Sequence, residues 1–573
     1  MGDKQEWLSL SAKFLLQGDF RAMRACALEV LARDEGNIDG LVVQAEADLY
    51  MDREERAAEA IRKVLAKEPE HLRALLVQAE IYAGNFRLDQ EIPALCHLLQ
   101  IGWKQGREHW LPYTRLTMQR AMALLVDAYS LAAEPEKAAE VLFEMSRLAE
   151  KPAEQADAYS KALFLTNYRS QPVSASLKLH EGYAAFFSGI AAYQHAAAGG
   201  RRKKLRIGYI SPDFRLHAAA YFFTPFLRDF SQAAFEVFVY SAGRHDRIMH
   251  RFKSFPVHWR DIQGLSADEA AGQIHEDRID VLVDLSGHTQ DSCLPVLARR
   301  PAPVQISGIG YMNTTGLPMV DYFFSDAVCL PVDESVRGFT ESIVRLPHSH
   351  FCFAPSVVRD FPASGLRAPF ERNRYITFGS FNNFSKVTAQ TLQLWRGIME
   401  QVPESRLVIK SKICSIESGR EIVRQRLQAL HMNLARVEMR PYSPDYLEQY
   451  RDIDIALDTS PYTGGATTCE ALYMGVPVVT LRGRTHGARF GASILESAGV
   501  PELVADSDMD YVKRAVQIAS SPEVLGTFHA RLRETMEQSP LMDGLAYMKG
   551  VEQAYYKIWA KYREMPSVHT APV

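Results

Sequence analysis

The sequence predicts an α/β protein with two Rossmann-like halves behind an N-terminal all-α region of tetratricopeptide-like repeats. Three observations predict it. Two short motifs near the front recur at one interval. Behind them, strand-length apolar runs alternate with helical runs in two successive series. A Pro-, Ser- and Arg-rich lapse at 355–372 separates the two series. A chain of 573 residues has room for several such domains.

The repeats come first. "VLARDEG" at Val30 returns as "VLAKEPE" at Val64, and "VQAE" at Val43 returns at Val77. Both offsets are 34 residues, the period of the tetratricopeptide helix pair. Leu and small residues recur between them at helical spacing, as in "ERAAEAIRKVLA". "AMALLVDAYSLAAEPEKAAEVLFEM" reads as a third copy, with Ala133–Pro135 as the turn between its helices. The alternative is an unrelated helical bundle. Repeat arrays bury their cores by stacking and present a concave face.

After the Gly-Gly-basic stretch "GGRRKK" the texture changes. Leu205–Ile210 makes an apolar strand, followed by strands in "FEVFVYS", "IDVLVDLSG" and "PVQISGIGY". The second series runs strand "YITFGSFN", helix "AQTLQLWRGIMEQV", strand "SRLVIKS", helix "GREIVRQRLQAL", strand "RVEMRPY", helix "DYLEQYRD", strand "IDIALDT". Alternation of this kind builds a doubly wound parallel sheet. The expected division is 1–165 repeats, 166–203 helical linker, 204–360 first half, 361–373 linker, 374–540 second half and 541–573 C-terminal helix and tail. That last helix is amphipathic and can pack across either half.

Composition excludes several classes. The net charge of −4 and pI near 6.5 give no reason to expect nucleic acid. No apolar run is long enough to span a bilayer. The start has no basic segment followed by an apolar one. The seven cysteines form no CxxC or Cys/His spacing, so neither a disulfide framework nor a zinc site is indicated. The expected location is cytoplasmic.

In open α/β sheets functional residues sit at the carboxyl ends of strands. Four ends stand out. In "ISPDFRLHAAAYF", His217 stands near a helix start, where a neutral imidazole takes a proton from a hydroxyl or merely caps and packs. In "VDLSGHTQ", His288 follows a buried strand and a Gly, facing the cleft or serving structure. In "GSFNNFSKVTAQTL", Lys386 lies beside a helix capped near Thr388, a setting that suits a phosphate as well as plain solvent. In "DTSPYTGGATTCEAL", Gly464, Gly465 and Ala466 admit close backbone approach. There Thr467 or Thr468 caps a helix whose N–H groups suit a phosphate. Glu470 follows in the first turn, either binding ribose hydroxyls or complementing the helix dipole. Neither a P-loop order nor GxGxxG is present. The Asp452-Ile-Asp454 pair reads as strand-edge polarity rather than a metal motif.

"RIGYISPDF", "LVDLSGHT", "RPAPVQISGIGYMNTTGLPMVDYFFSD", "FGSFNNFSKVTAQTLQLW" and "PYTGGATTCEALYMGVPVVTL", in that order, resemble the catalytic region of O-linked N-acetylglucosamine transferases and their SPINDLY relatives. The resemblance spans about Lys204 to Trp559. It implies a GT-B glycosyltransferase with an acceptor-side first half, a nucleotide-sugar-side second half, inversion at the anomeric carbon, and no cofactor or metal. By motif position it makes His217 the base or acceptor-site residue and Lys386 the cation that neutralises the leaving diphosphate. It puts Asn383 at the diphosphate or sugar, and Gly465, Ala466 and Thr467 at the phosphate, with Thr468 beside them. Glu470 falls at the ribose, Ser443 at the base, and Asn313, Thr314, Thr315 and Gly316 on the sugar side. The animal enzymes carry His where this chain has Gly465, and Lys where it has Asp445. "NTTG" and "FNNFSK" stand closer to SPINDLY, whose plant members use a guanine-nucleotide fucose. The implied donor is therefore a UDP-sugar, foremost UDP-N-acetylglucosamine, or a GDP-sugar. The implied partner is a protein or peptide docked by the repeats. A related epimerase, a transferase acting on lipid or glycan, and a silent scaffold are the rival readings.

Overall fold

The computed structural model describes residues 4–195, 203–332, 338–362 and 367–564. Most of the Gly-Gly-basic stretch (199–202), part of the expected linker (363–366) and the tail (565–573) lie outside the described residues. The chain forms two compact units, 1–147 with 415–423, and 148–414 with 424–573.

Small and branched residues at helical spacing make the first unit all-α. Its helices are Lys4–Gln17, Phe20–Leu31, Ile38–Tyr50, Glu54–Lys67, Leu72–Gly84, Leu88–Lys104, Pro112–Leu131 and Pro135–Leu148. The period survives in the fold: helices begin at Ile38 and Leu72, and at Glu54 and Leu88, each pair 34 residues apart. Even the caps repeat, since Asn37 accepts the Gly40 N–H (3.0 Å) and His71 the Ala74 N–H (3.2 Å). Val42, Ala45, Ile61, Val64, Val77 and Ile81 share one core between these helices. The repeated acids Glu46 and Glu80 converge on Arg120, and Arg73 Nε donates to Glu46 at 2.7 Å. A 3₁₀ turn, Arg107–His109, lengthens the interval before the next helix pair. The turn expected at Ala133–Pro135 is there, with Ala133 at φ +55°. In segment 415–423, Ile416 and Ile422 pack on Leu88, Ala128 and Ala132. Helix Pro152–Thr166 belongs to the second unit, whereas the expected repeat region ran to 165.

The second unit holds two parallel sheets. The first contains β1 Leu205–Ser211, β2 Phe235–Ser241, β3 His258–Asp261, β4 Val281–Asp284, β5 Val304–Gly308, β6 Tyr322–Asp326 and β7 Ser342–Leu346, in the order β3-β2-β1-β4-β5-β6-β7. The second contains β8 Thr377–Ser380, β9 Arg406–Lys410, β10 Val437–Arg440, β11 Ile455–Leu457, β12 Val478–Leu481 and β13 Val504–Ala505, in the order β10-β9-β8-β11-β12-β13. Central β1 places Ile207 opposite Val237 and Val281. Strands buried on both faces read as continuous apolar runs, which is why they stand out in the sequence. Strand order reverses between β1 and β4 and again between β8 and β11, the crevice where such sheets bind ligands. The helix expected over "DYLEQYRD" is a 3₁₀ turn, Glu448–Asp452. The long helix Gly544–Glu564 packs on the first sheet: the Tyr555 and Tyr209 hydroxyls meet at 3.0 Å, and Tyr547 donates to the His350 carbonyl at 2.8 Å. No helix among the described residues is long and apolar enough to cross a membrane, and all seven cysteines are free thiols.

Candidate active site

The carboxyl ends of β8 and β11 build one side of the crevice. Behind β8, Lys386 closes a 3₁₀ turn, Phe384–Lys386, just ahead of the helix Ala389–Gln401 that Thr388 caps. Its ammonium donates to the Thr463 carbonyl (2.9 Å) and stands 3.6 Å from the centre of the Tyr462 ring. Burial pushes its pKa down to about 8, against the opposing pull of Asp458. Asp458, the first residue after β11, is the residue that sequence reasoning missed. Its buried carboxylate accepts from the Gly464 N–H (2.7 Å), the Thr459 N–H (2.8 Å), the Thr480 hydroxyl (2.8 Å) and the Asn382 amide (3.3 Å). One acid thus pins the glycine loop and faces the lysine. An acidic residue directly after an apolar strand was the available signal.

The loop leads into the helix Ala466–Tyr473. Its N-cap is Gly465, which makes no side-chain cap, so neither expected threonine caps it. The Thr467 hydroxyl instead donates to Asn382 Oδ1 at 2.9 Å, and Thr468 is buried. Both hydroxyls fold back over Gly464, where a Cβ would meet them at 2.8 and 2.3 Å. At Gly465 a Cβ would meet nothing within 4 Å. The first N–H groups of this helix therefore remain available to an anion. Asn382 reaches this helix, whereas the expected Asn383 is exposed and caps the lysine's 3₁₀ turn. Glu470 lies beyond the first turn, not in it, because the helix begins at Ala466. It is buried and accepts from the Tyr446 hydroxyl and, across the crevice, from the Tyr221 hydroxyl (3.0 Å). Burial raises its carboxyl pKa. Ser443 accepts from buried Lys410 (3.0 Å) and from Gln449 (2.8 Å). Asp454 spends its carboxylate on the N–H groups of Phe370 and Thr377, both at 2.8 Å, as a structural strand-edge acid does.

The first half supplies the other wall. His217 precedes the helix Ala220–Arg228, whose Tyr221 reaches Glu470, so the histidine and the glycine-loop helix flank one crevice. The imidazole is partly exposed, with Nδ1 3.3 Å from the Ala219 N–H and 3.6 Å from Asp213 Oδ2. Burial lowers its pKa despite Asp213, keeping the ring neutral. His288, read from the sequence as facing the cleft or serving structure, is fully buried. Its Nε2 donates to the Thr315 carbonyl (2.9 Å) and its Nδ1 accepts from Ser160 (2.8 Å), so no ring nitrogen faces the crevice. Thr314 and Thr315 are likewise buried, both held by Glu341. Gly316 turns at φ +69° where a Cβ would strike the His180 carbonyl, so it serves the turn. Of the "NTTG" stretch, Asn313 alone lines a cavity of about 230 Å³. Its amide donates to Asn167 (3.0 Å) and Ser176 (2.9 Å).

Comparison with known proteins bears on this arrangement. The family model for glycosyl transferase family 41 matches residues 187–355 and 369–551. A Solanum lycopersicum protein named as a probable UDP-N-acetylglucosamine–peptide N-acetylglucosaminyltransferase SPINDLY is 39% identical over 370 residues, 63% of this chain and 39% of that protein. An Arabidopsis thaliana relative named SEC is 27% identical over 414 residues, 68% of this chain and 42% of its own length. The chain thus spans about two fifths of these curated relatives. A variant of the Thermobaculum terrenum O-GlcNAc transferase aligns in structure with a TM-score of 0.75 at 27% identity, covering 93% of this chain and 99% of that one. Two parallel sheets in Rossmann order, sharing one crevice, make this a GT-B fold, and the chain belongs to glycosyl transferase family 41.

Proposed function

We propose that the chain transfers N-acetylglucosamine from UDP-N-acetylglucosamine to Ser or Thr hydroxyls of proteins, with inversion and without a metal at the diphosphate. The observation that carries this is Lys386, held beside the Asp458-pinned glycine loop and the uncapped helix start at Gly465. As the bond from the anomeric carbon to the diphosphate breaks, negative charge grows on the departing phosphate. A fixed ammonium and free helix N–H groups stabilise that charge. The acceptor hydroxyl attacks from the opposite face and gives up its proton. His217 takes that proton, and Asp213, 3.6 Å from its Nδ1, balances the charge of the imidazolium that forms. The names carried by the relatives support the donor and the peptide acceptor. The repeats of the first unit dock that acceptor, and reduced thiols suit a cytoplasmic setting.

The test is donor hydrolysis and transfer by the purified chain against a panel of UDP- and GDP-sugars. UDP-N-acetylglucosamine is expected to be consumed fastest. Preferential use of GDP-fucose would replace the donor and keep the transferase. Failure to bind or consume any nucleotide-sugar would leave a scaffold.

A further inference from the structure

Three loops that the sequence holds far apart meet in the second unit. Cys329 follows β6, His350 follows β7, and His486 begins the 3₁₀ turn His486–Arg489 after β12. All three are buried, His350 completely. Each brings one ligand atom within 4.8 Å of the other two.

The hydrogen bonds around them orient both rings inward. His350 Nδ1 meets the Asp326 carboxylate, and His486 Nδ1 meets the Met312 carbonyl at 3.1 Å. A carboxylate and a carbonyl only accept, so each Nδ1 carries a proton and each Nε2 is the ring nitrogen left to turn inward. Neither Nε2 has a hydrogen-bond partner among the described residues. Buried imidazole nitrogens left without a partner are costly and rare, and they point to an ion or a water. A histidine that donates one ring N–H to a carboxylate or carbonyl while its other nitrogen stays bare has the arrangement found around bound metals. Asp326 is itself fixed, accepting from the Cys329 N–H (2.7 Å), the His350 N–H (2.9 Å) and the Ser493 hydroxyl (2.8 Å). Phe323, Phe351 and Phe490 enclose the two rings.

We propose that Cys329, His350 and His486 bind one zinc ion, which joins the first Rossmann-like half to the loop after β12 of the second. One thiolate and two imidazoles favour zinc over magnesium or calcium, which prefer oxygen ligands. Binding releases the Cys329 thiol proton: thiol and zinc ion give the zinc thiolate and a proton that leaves to solvent. Cys329 and His486 also line the 230 Å³ cavity, which gives the ion an entry path and a water for its fourth position. Neither Lys386 nor Glu470 lines that cavity, so the ion positions a loop and takes no part in diphosphate departure.

The test uses the full chain, purified without metal-affinity chromatography or chelator. Elemental analysis is expected to find one zinc per chain. After chelator treatment, added Co²⁺ is expected to give the visible bands of a tetrahedral site and a near-ultraviolet thiolate-to-cobalt charge-transfer band. Cys329→Ser should lose the charge-transfer band, and His486→Gln should lower zinc content at least about tenfold. The cobalt spectrum of the unaltered chain tests the proposal even if a variant fails to fold. A chain that holds no zinc and shows no cobalt–thiolate band overturns it, leaving the two nitrogens to water. Zinc retained in full by a folded Cys329→Ser/His486→Gln chain overturns the ligand assignment, and stoichiometric copper overturns the choice of metal.

Discussion

The proposed reaction requires Lys386 to be a cation as the diphosphate leaves, and its setting makes that conditional on pH. Burial has brought its pKa down to about 8. An ammonium loses its proton as pH rises through its pKa, so kcat/KM, which reports the free enzyme, should fall above about pH 8. Asp458 opposes the burial, so Asp458→Asn should move that alkaline limb to lower pH. A limb that stays in place would remove Asp458 from the charge balance. Lys386→Ala should keep its circular dichroism and lose about 10²- to 10³-fold in kcat for donor hydrolysis, the usual effect of deleting one stabiliser of developing charge. A kcat near normal would end the assignment. Residue types at strand ends made Lys386, His217 and Glu470 visible in the sequence. What sequence could not resolve was one position of register: Asn382 turns to the helix and Asn383 to solvent. Nor could it show that Ser160, Thr315 and Glu341 close off His288 and the two threonines, because those partners arrive through tertiary packing.

In the proposed reaction the helix Ala466–Tyr473 and the loop before it bind the diphosphate as one element, and its two glycines make different demands. Gly464 is covered by the Thr467 and Thr468 hydroxyls, so Gly464→Ala must displace them and disturb the N–H bond to Asp458. Donor affinity, measured by calorimetry, should fall at least about tenfold, or about 1.4 kcal/mol. Gly465 opens onto free space, and Gly465→Ala should cost much less. Equal losses in both variants would show that backbone freedom, not the threonine cover, governs the loop. At this scale the central strands were legible because burial on both faces makes them uninterrupted apolar runs. Edge strand β3, "HWRD", is half exposed, and β13 is two residues long, so neither carries such a run. Glu470 was placed in the first turn because the helix is capped at Gly465 rather than at a threonine, an offset of the size that helix boundaries commonly carry.

For the molecule as a whole, the 34-residue period and the two alternating series marked out the repeats and both sheets. Cysteine spacing could not reveal Cys329 beside His350 and His486, since the pairing of β6 with β7 and the packing of the loop after β12, from the other sheet, bring those three residues together. The sequence also could not show that 415–423, in the midst of the second half, groups with the repeats. That grouping shapes the test of acceptor docking. A chain beginning at Leu148 keeps both sheets but strips Ile416 and Ile422 of their cover from Leu88, Ala128 and Ala132. Newly exposed apolar surface invites aggregation, so the truncated chain should carry Ile416→Ser and Ile422→Gln. If the repeats dock the acceptor, this chain should hydrolyse the donor as the full chain does. Transfer to protein acceptors should meanwhile fall at least about tenfold, the consequence of losing some 1.4 kcal/mol of docking. Undiminished transfer would remove the repeats from acceptor choice. Loss of hydrolysis and transfer together would mean that they support the catalytic halves instead, and the docking role would fail on that result as well.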